Sequence, residues 1–186
     1  VGRYTVNVAG REAERRVVVQ GVELLDTGEP DDRERLAEAV AASDEMCTAL
    51  PSVAAYAAGG QASVSSLLAR GLSRRARPVP TVIYTAENHN HAAEILGQQL
   101  AGLVPASVWA GVQVLNTVIG KMSGVITDVR DIEGLGLATI TPEVPRAVLV
   151  EEFNRILVSR VRLAGFRRGR AVFQAKDALL PFEEAK

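Results

Sequence analysis

Three stretches decide the fold of this chain: Glu45-Met46-Cys47-Thr48-Ala49-Leu50, Thr81-Val82-Ile83-Tyr84-Thr85 and Val112-Gln113-Val114-Leu115. Each is short and mostly apolar, as buried strands are. Two segments with apolar residues at helical spacing separate them, one from Gln61 to Arg75 and one that starts at Asn88 or Asn90. Strands that alternate with helices through short loops predict a parallel, doubly wound sheet of the α/β class. Ligands of such sheets bind beyond the carboxyl ends of the strands, so the residues that follow each stretch form a candidate site.

The region before these stretches predicts a hairpin and a helix. Tyr4, Val6 and Val8 alternate on one face, Gly10-Arg11-Glu12 forms a turn, and Arg16-Val17-Val18-Val19 runs back. After a polar loop, Asp31 or Asp32 is expected to cap a helix that has one apolar side, formed by Leu36, Ala39 and Val40.

A change of character follows Asn116. Residues 128–145 are rich in Gly and Pro and predict a loop, and β-rich runs follow in 147–158. We therefore place a domain boundary near Val125, which gives blocks 1–124 and 125–186. The closing Leu180-Pro181-Phe182-Glu183-Glu184-Ala185-Lys186 predicts the first turn of a helix, because proline and acidic residues favour a helix N-terminus. A helix that stops there, and a chain that starts at Val1, suggest a piece of a longer protein.

Composition excludes several classes of function. The 186 residues carry 21 Lys and Arg against 22 Asp and Glu, so a net charge of -1 gives no general attraction to nucleic acid or to an anionic membrane. With 47% apolar residues the chain can bury a core. Cys47 is the only cysteine, which rules out an internal disulfide and a multi-cysteine metal site. The chain opens without a basic and apolar leader, so a cytoplasmic location is expected.

Most motif-like strings have simpler interpretations. Gly134-Leu135-Gly136 lacks the third glycine and the preceding strand of a dinucleotide loop. His89 and His91 are predicted as partly exposed residues at a helix start, with a histidine that faces a bound ligand as the alternative; two such residues make no closed metal site. Cys47 is predicted as a small buried hydrophobe. Arg74-Arg75-Ala76-Arg77-Pro78 is predicted as a solvated helix end.

Three residues remain as chemical candidates. Asn88 and Asn116 follow predicted strands, and Lys186 lies in the closing segment. An amide can donate to a developing alkoxide, and a lysine with a lowered pKa can take the proton of an alcohol. The alternative is that the asparagines cap turns and the lysine is solvated.

Four segments resemble the mannitol dehydrogenase family, the polyol-specific long-chain dehydrogenases, and within it the branch that acts on mannitol 1-phosphate. They are Tyr84-Thr85-Ala86-Glu87-Asn88, Leu115-Asn116-Thr117-Val118-Ile119-Gly120-Lys121, the closing Leu180–Lys186 and the opening Gly2-Arg3-Tyr4-Thr5-Val6. The resemblance implies the second half of a Rossmann-like parallel sheet with an N-terminal hairpin, and a smaller β-containing C-terminal segment leading into a helical domain. In this division 1–124 is a partial NAD(P)-binding domain without its glycine loop, and 125–186 begins the catalytic domain.

The resemblance also implies an activity and its residues. It implies a metal-independent enzyme that interconverts a sugar alcohol, phosphorylated or not, and its ketose with NAD or NADP. Lys186 matches the general base of the family, and Asn116 matches the asparagine that holds the reacting oxygen. Leu50, Pro51, Glu87 and Asn88 match segments near the cofactor. Nucleic acid and membranes are not expected partners.

One departure leaves other functions open. Family members commonly have Asp-Arg where this chain has Gly120-Lys121, which puts the handling of a phosphate or carboxylate in question. It also motivates a second hypothesis, a non-catalytic relative that binds a sugar phosphate or a partner protein. A third is another Rossmann oxidoreductase, such as a hydroxyacid dehydrogenase. This span alone is expected to be inactive, since the glycine loop and most of the catalytic helix would lie outside it.

Overall fold

The strands of the chain form two sheets, one in each of two α/β units. The computed structural model describes residues 2–120, 122–152 and 155–166, together with the backbone of Phe182–Ala185. The first unit comprises Val1–Leu24 and Gly120–Arg155, and the second comprises Leu25–Ile119 and Ile156–Lys186. In the described part of the chain, no helix is long and apolar enough to cross a membrane.

The described strands and helices follow one another along the chain. The strands are β1 (Gly2–Ala9), β2 (Glu14–Val22), β3 (Glu45–Thr48), β4 (Thr81–Thr85), β5 (Val112–Gly120), β6 (Ser123–Ile126), β7 (Ala147–Glu151), β8 (Arg155–Ser159) and β9 (Phe182–Ala185). The α-helices are α1 (Pro30–Ala42), α2 (Val64–Leu72), α3 (Ala92–Ala101), α4 (Ala106–Trp109) and α5 (Val129–Gly134), and short 3₁₀ helices cover Val53–Tyr56 and Gly60–Ala62.

The first unit is built on a four-stranded mixed sheet in the order β2-β1-β7-β6. The predicted hairpin is confirmed, because β1 and β2 pair antiparallel, and β7 pairs parallel with the other edge of β1. The buried side chain of Asn7 ties the segment before β7 to β1: its Oδ1 accepts from the backbone N–H of Ala138 at 2.9 Å, and its Nδ2 donates to the carbonyl oxygens of Ala138 and Val148. Helix α5 lies where a loop was predicted, and Asp128 Oδ1 caps it by accepting from Arg130 N.

The second unit is built on a five-stranded sheet in the order β3-β4-β5-β8-β9. The prediction of parallel pairing is confirmed for β3, β4 and β5. All five residues of β4 are buried, as expected for a central strand with both faces covered. On one face the core is formed by Ile83 and by side chains from α1, α2 and α3, among them Val40, Leu72 and Leu96.

Two details of α1 differ from the prediction. The helix begins at Pro30, with Glu29 as its N-cap and no side-chain cap bond, so neither Asp31 nor Asp32 caps it. Proline fits the first helical position because it needs no N–H bond there. The buried residues of α1 are Ala37 and Val40, whereas Ala39 is exposed.

Arg75 is not the solvated residue that its basic surroundings predicted. Its guanidinium donates to the carbonyl oxygens of Val40 at 2.8 Å and Ala41 at 3.1 Å, and also to Ser43 O and Thr81 Oγ1. The last carbonyls of a helix lack intrahelical partners, so one forked side chain satisfies the end of α1 and joins it to the start of β4.

The predicted helix in the closing segment is also wrong for the residues that the structure describes there. Phe182–Ala185 forms β9, which pairs parallel with β8 from Ile156↔Phe182 to Ser159↔Ala185. A single helical turn would gain few hydrogen bonds, whereas pairing with an existing strand satisfies several backbone groups at once. The division into a nucleotide-binding block 1–124 and a catalytic block 125–186 stays a prediction about function.

Candidate functional site

Three polar side chains lie in a row at the carboxyl edge of the parallel strands. Thr48 ends β3 and pairs in register with Thr85 at the end of β4, which in turn pairs with Asn116 of β5. Thr48 and Thr85 are buried, and Asn116 is half-buried. Partners in register lie on the same face of a sheet, so the three residues form one line from strand to strand. This is the edge at which open α/β sheets bind ligands.

Glu87, two residues beyond β4, gathers three donors at this edge. Its Oε1 accepts the backbone N–H of Leu50 at 3.0 Å, and its Oε2 accepts the hydroxyls of Thr48 at 3.0 Å and Tyr56 at 2.5 Å. The residue is only 4% exposed. One carboxylate therefore connects the end of β3, the loop that follows it and the end of the first 3₁₀ helix, Val53–Tyr56.

The buried carboxylate changes the acidity of its neighbours. Burial, followed by the hydrogen bond to Glu87, raises the pKa of Tyr56, so the phenol stays protonated and remains a donor. Cys47 is exposed, which corrects the prediction that it is buried. The nearby protein nevertheless desolvates its thiol, and this effect with the charge of Glu87 raises the pKa of Cys47 to about 11. A thiol with that pKa is a poor nucleophile at neutral pH.

Asn116 is fixed in both directions by α3. Its Oδ1 accepts the backbone N–H of Ala93 at 2.8 Å, and its Nδ2 donates to Glu94 Oε2 at 2.8 Å. The first bond satisfies one of the unpaired N–H groups of the helix start. The second lowers the pKa of Glu94. The expectation that Asn88 or Asn90 starts this helix is wrong, because α3 begins at Ala92. The amide that caps it is that of Asn116 in β5.

An open cleft of about 390 Å³ adjoins Asn116 within the second unit. Its floor is formed by β5, and its walls come from α3, Trp109 and the segment that follows β8. The polar residues that line it are Glu94, Gln113, Asn116, Ser159, Arg160 and Arg162. The cleft combines an aromatic side chain, amides and charges, a mixture that suits a polar organic ligand.

The structure brings some of the predicted site residues together and leaves others untested. Leu50 and Glu87 are joined by a hydrogen bond, while Pro51 and Asn88 are exposed nearby at the same edge. Lys186 lies outside the described residues, so its pairing with Asn116 stays a prediction, as do the roles assigned to Leu50, Pro51, Glu87 and Asn88. Lys121 of the Gly120-Lys121 departure also lies outside them.

Three residues of this edge were not predicted from the sequence. Thr48 lies inside the predicted strand Glu45–Leu50 and Tyr56 lies eight positions later, so their only signal in the sequence was a pair of hydroxyls. Glu94 could have been found as an acid in the first turn of α3, where it complements the helix dipole.

The two histidines conform to the simpler interpretation. His89 and His91 are both exposed and precede α3, and the Nδ1 of His89 accepts the backbone N–H of His91 at 3.1 Å. Across the residues that the structure describes, no group of three or more His, Cys, Asp and Glu side chains is arranged to hold a metal ion.

Comparison with solved structures identifies two proteins of similar fold. The ternary complex of Pseudomonas fluorescens mannitol 2-dehydrogenase with NAD and D-mannitol matches 98% of this chain with a TM-score of 0.63 and 13% identity. A D-sorbitol dehydrogenase in substrate-free form matches 89% of it with a TM-score of 0.64 and 11% identity. The chain spans 42% and 40% of these two proteins. No family profile matches the chain, and no curated protein matches its sequence. At such identities the likeness shows a shared α/β fold.

Proposed function

We propose that this chain is the central part of an NAD(P)-dependent oxidoreductase that interconverts a sugar alcohol and its ketose by hydride transfer. The observation that carries the proposal is the likeness in fold, over 98% of the chain, to a mannitol 2-dehydrogenase whose structure contains NAD and D-mannitol. The resemblance of the segments around Asn88, Asn116 and Lys186 supports it independently. Because the chain spans about two fifths of that enzyme, the activity proposed is that of the intact protein.

The residues at the carboxyl edge fit part of a dinucleotide. Half-buried Leu50 and exposed Pro51 offer apolar surface, and exposed Asn88 offers an amide beside it. The loops 49–60 and 86–92 contain neither lysine nor arginine, and the chain has no glycine loop of the phosphate-binding kind. This edge therefore suits the ribose and nicotinamide better than the pyrophosphate. When bound, NAD(P) supplies the hydride acceptor for alcohol oxidation.

The proposed proton transfer uses Lys186 and Asn116. Lys186, as the neutral amine, takes the hydroxyl proton of the alcohol, while the carbinol carbon loses its hydride and the C=O bond forms. Asn116 contributes a pre-oriented amide, because its Oδ1 is held by Ala93 and one N–H is held by Glu94. The remaining N–H has no partner in the described part of the chain, and we assign it to the reacting oxygen.

Replacement of Lys186 by Ala in the intact protein tests this assignment. Loss of a general base is expected to lower kcat by about 10²–10⁴-fold, since such groups contribute that much to proton transfer. The affinity for NADH is expected to stay close to that of the wild type. Lys176→Ala, ten positions earlier, is the matched control and should retain turnover. Equal turnover in Lys186→Ala and wild type would reject Lys186 as the base.

The Gly120-Lys121 departure favours a second function, binding of a sugar phosphate or a partner protein without chemistry. The two functions differ in a simple assay. An intact protein that binds fructose phosphate but oxidises no NADH with it would support the binding function, whereas turnover would exclude it.

A further inference from the structure

Glu87 has the geometry of a residue that shapes a binding loop from beneath. Its two oxygens accept three hydrogen bonds, from Thr48, Leu50 and Tyr56, and the residue is 4% exposed. All three donors belong to the stretch from the end of β3 to the end of the following 3₁₀ helix. Three of the roughly four acceptor sites of the carboxylate are thus used within the protein, and its burial keeps it from a ligand at the sheet edge.

Burying the Glu87 carboxylate costs free energy, which suggests that it has a role besides stabilising the fold. Among the described residues no lysine or arginine forms an ion pair with Glu87. A buried carboxylate that relies on hydrogen bonds alone carries a desolvation penalty that an apolar side chain would avoid. The carboxylate instead fixes geometry. Its two oxygens accept from the backbone N–H of Leu50 and the hydroxyl of Tyr56, and so hold these two groups at a set separation.

Tyr56 is the second fixed point of the loop. The residue is fully buried, and its backbone carbonyl accepts from Ser65 Oγ at 2.8 Å, which ties it to the first turn of α2. Its raised pKa keeps the phenol protonated, so the hydroxyl donates to Glu87 throughout the neutral range. Residues 50–56 are thus held at both ends, by one carboxylate and by the core beneath it.

We propose that Glu87 and Tyr56 are positioning residues for the dinucleotide, which hold the loop 50–56 in its binding-competent shape without contacting the cofactor. The inference rests on the proposed function, because only that function places a dinucleotide over this loop. It differs from a role for Glu87 as a direct cofactor ligand, since both of its oxygens are committed to the protein. Tyr56 acts in the same indirect way, because its hydroxyl bonds to Glu87 and its carbonyl oxygen to Ser65.

The test compares Tyr56→Phe with Tyr84→Phe in the intact protein. Tyr84 is equally buried and donates to Glu45 Oε1 at 2.9 Å, but it packs in a different core cluster. Each variant thus loses one buried tyrosine–glutamate hydrogen bond, and only Tyr56→Phe loosens the loop. Titration of NADH by its fluorescence, hydrogen exchange of residues 49–56 and kcat for the polyol are measured for both.

Tyr56→Phe is expected to raise the NADH dissociation constant about five- to tenfold, the range for loss of one hydrogen bond that orders a binding loop, and to speed exchange in residues 49–56. The kcat at saturating NAD is expected to be unchanged. Tyr84→Phe should leave both the affinity and the exchange of that loop as in the wild type. Glu87→Gln, which keeps the size of the side chain but replaces one acceptor by a donor, should act like Tyr56→Phe and more strongly.

If Tyr84→Phe and Tyr56→Phe weakened NADH binding equally, the inference would be overturned, since the effect would then come from a general loss of protein stability. An unchanged NADH affinity in Tyr56→Phe would overturn it as well. A wild-type protein that binds neither NADH nor NADPH would instead refute the proposed function, and the inference with it. The wild-type titration therefore separates failure of the proposed function from failure of the inference, and the two variants then test the inference itself.

Discussion

At the scale of single residues, Cys47 gives a test that needs no knowledge of function. The residue is exposed, yet desolvation and the charge of Glu87 raise the pKa of its thiol to about 11. Because only the thiolate reacts, alkylation of Cys47 at pH 8 is expected to be roughly two hundredfold slower than that of an ordinary cysteine, whose pKa is about 8.5. The rate is expected to rise tenfold per pH unit up to about pH 11.

The measurement is the rate of iodoacetamide modification of the Cys47 peptide, followed by mass spectrometry between pH 7 and pH 10. The same protein unfolded in urea is the control and should react at the ordinary rate. A native rate equal to the unfolded one would show that neither Glu87 nor the surrounding protein acts on the thiol.

The residues of the candidate edge show where sequence reasoning reaches its limit. The placement of Glu87 just beyond β4, and of Asn116 in β5 opposite the last residue of β4, could be predicted, because the order of strands and helices brings both to the carboxyl edge. Their partners could not. Asn116 caps α3 from a different strand, and Tyr56 reaches Glu87 across 31 positions of sequence, so both contacts depend on how the helices pack.

At the scale of elements, the contact between α1 and α2 depends on the absence of a side chain at Gly71. A Cβ atom there would lie 2.5 Å from the Cβ of Val40 and 2.7 Å from the carbonyl oxygen of Ala37. Glu34 of α1 also pairs with Arg74, just past the end of α2, at 2.6 Å, which is a second contact between the two helices. A side chain at position 71 could therefore fit only if the two helices moved apart.

Gly71→Ala is expected to lower the free energy of unfolding by about 1–3 kcal/mol, because overpacking outweighs the better helix propensity of alanine. Gly97→Ala in α3 is the matched control. Its added Cβ would meet only Val114 Cγ2, at 3.9 Å, so that variant should be more stable by about 0.5–1 kcal/mol. Urea unfolding of the two variants and the wild type measures both changes. The same sign of change in both variants would contradict the close approach of α1 and α2.

The elements themselves were predicted well where period and burial agree, and less well at their ends. The strands β3, β4 and β5 were predicted from short apolar runs between helical segments, and the hairpin of β1 and β2 from alternating apolar residues around a turn. The ends of helices depend on partners that are distant in sequence. The guanidinium of Arg75, for example, donates to the last carbonyl oxygens of α1. Helix-start signals alone also favoured a helix at Phe182–Ala185, whereas these residues form β9 and pair with β8.

At the scale of the whole molecule, the sequence order conceals how the compact units are assembled. The first unit joins the opening hairpin to residues more than a hundred positions later, with β1 parallel to β7. Contacts between segments so far apart in sequence leave no local signal, whereas the prediction from sequence divided the chain at a single point. The α/β class was predictable, whereas the discontinuous units were not.

The central claim is that the intact protein moves hydride between NAD(P) and a polyol. The most direct measurement is the oxidation of NADH and of NADPH, in parallel, with fructose, fructose phosphate and a 2-keto acid as acceptors. We predict that one of the two ketoses is reduced to its sugar alcohol, with one equivalent of cofactor consumed per molecule of product. Reduction of the 2-keto acid alone, or oxidation of neither cofactor with any acceptor, would contradict the claim.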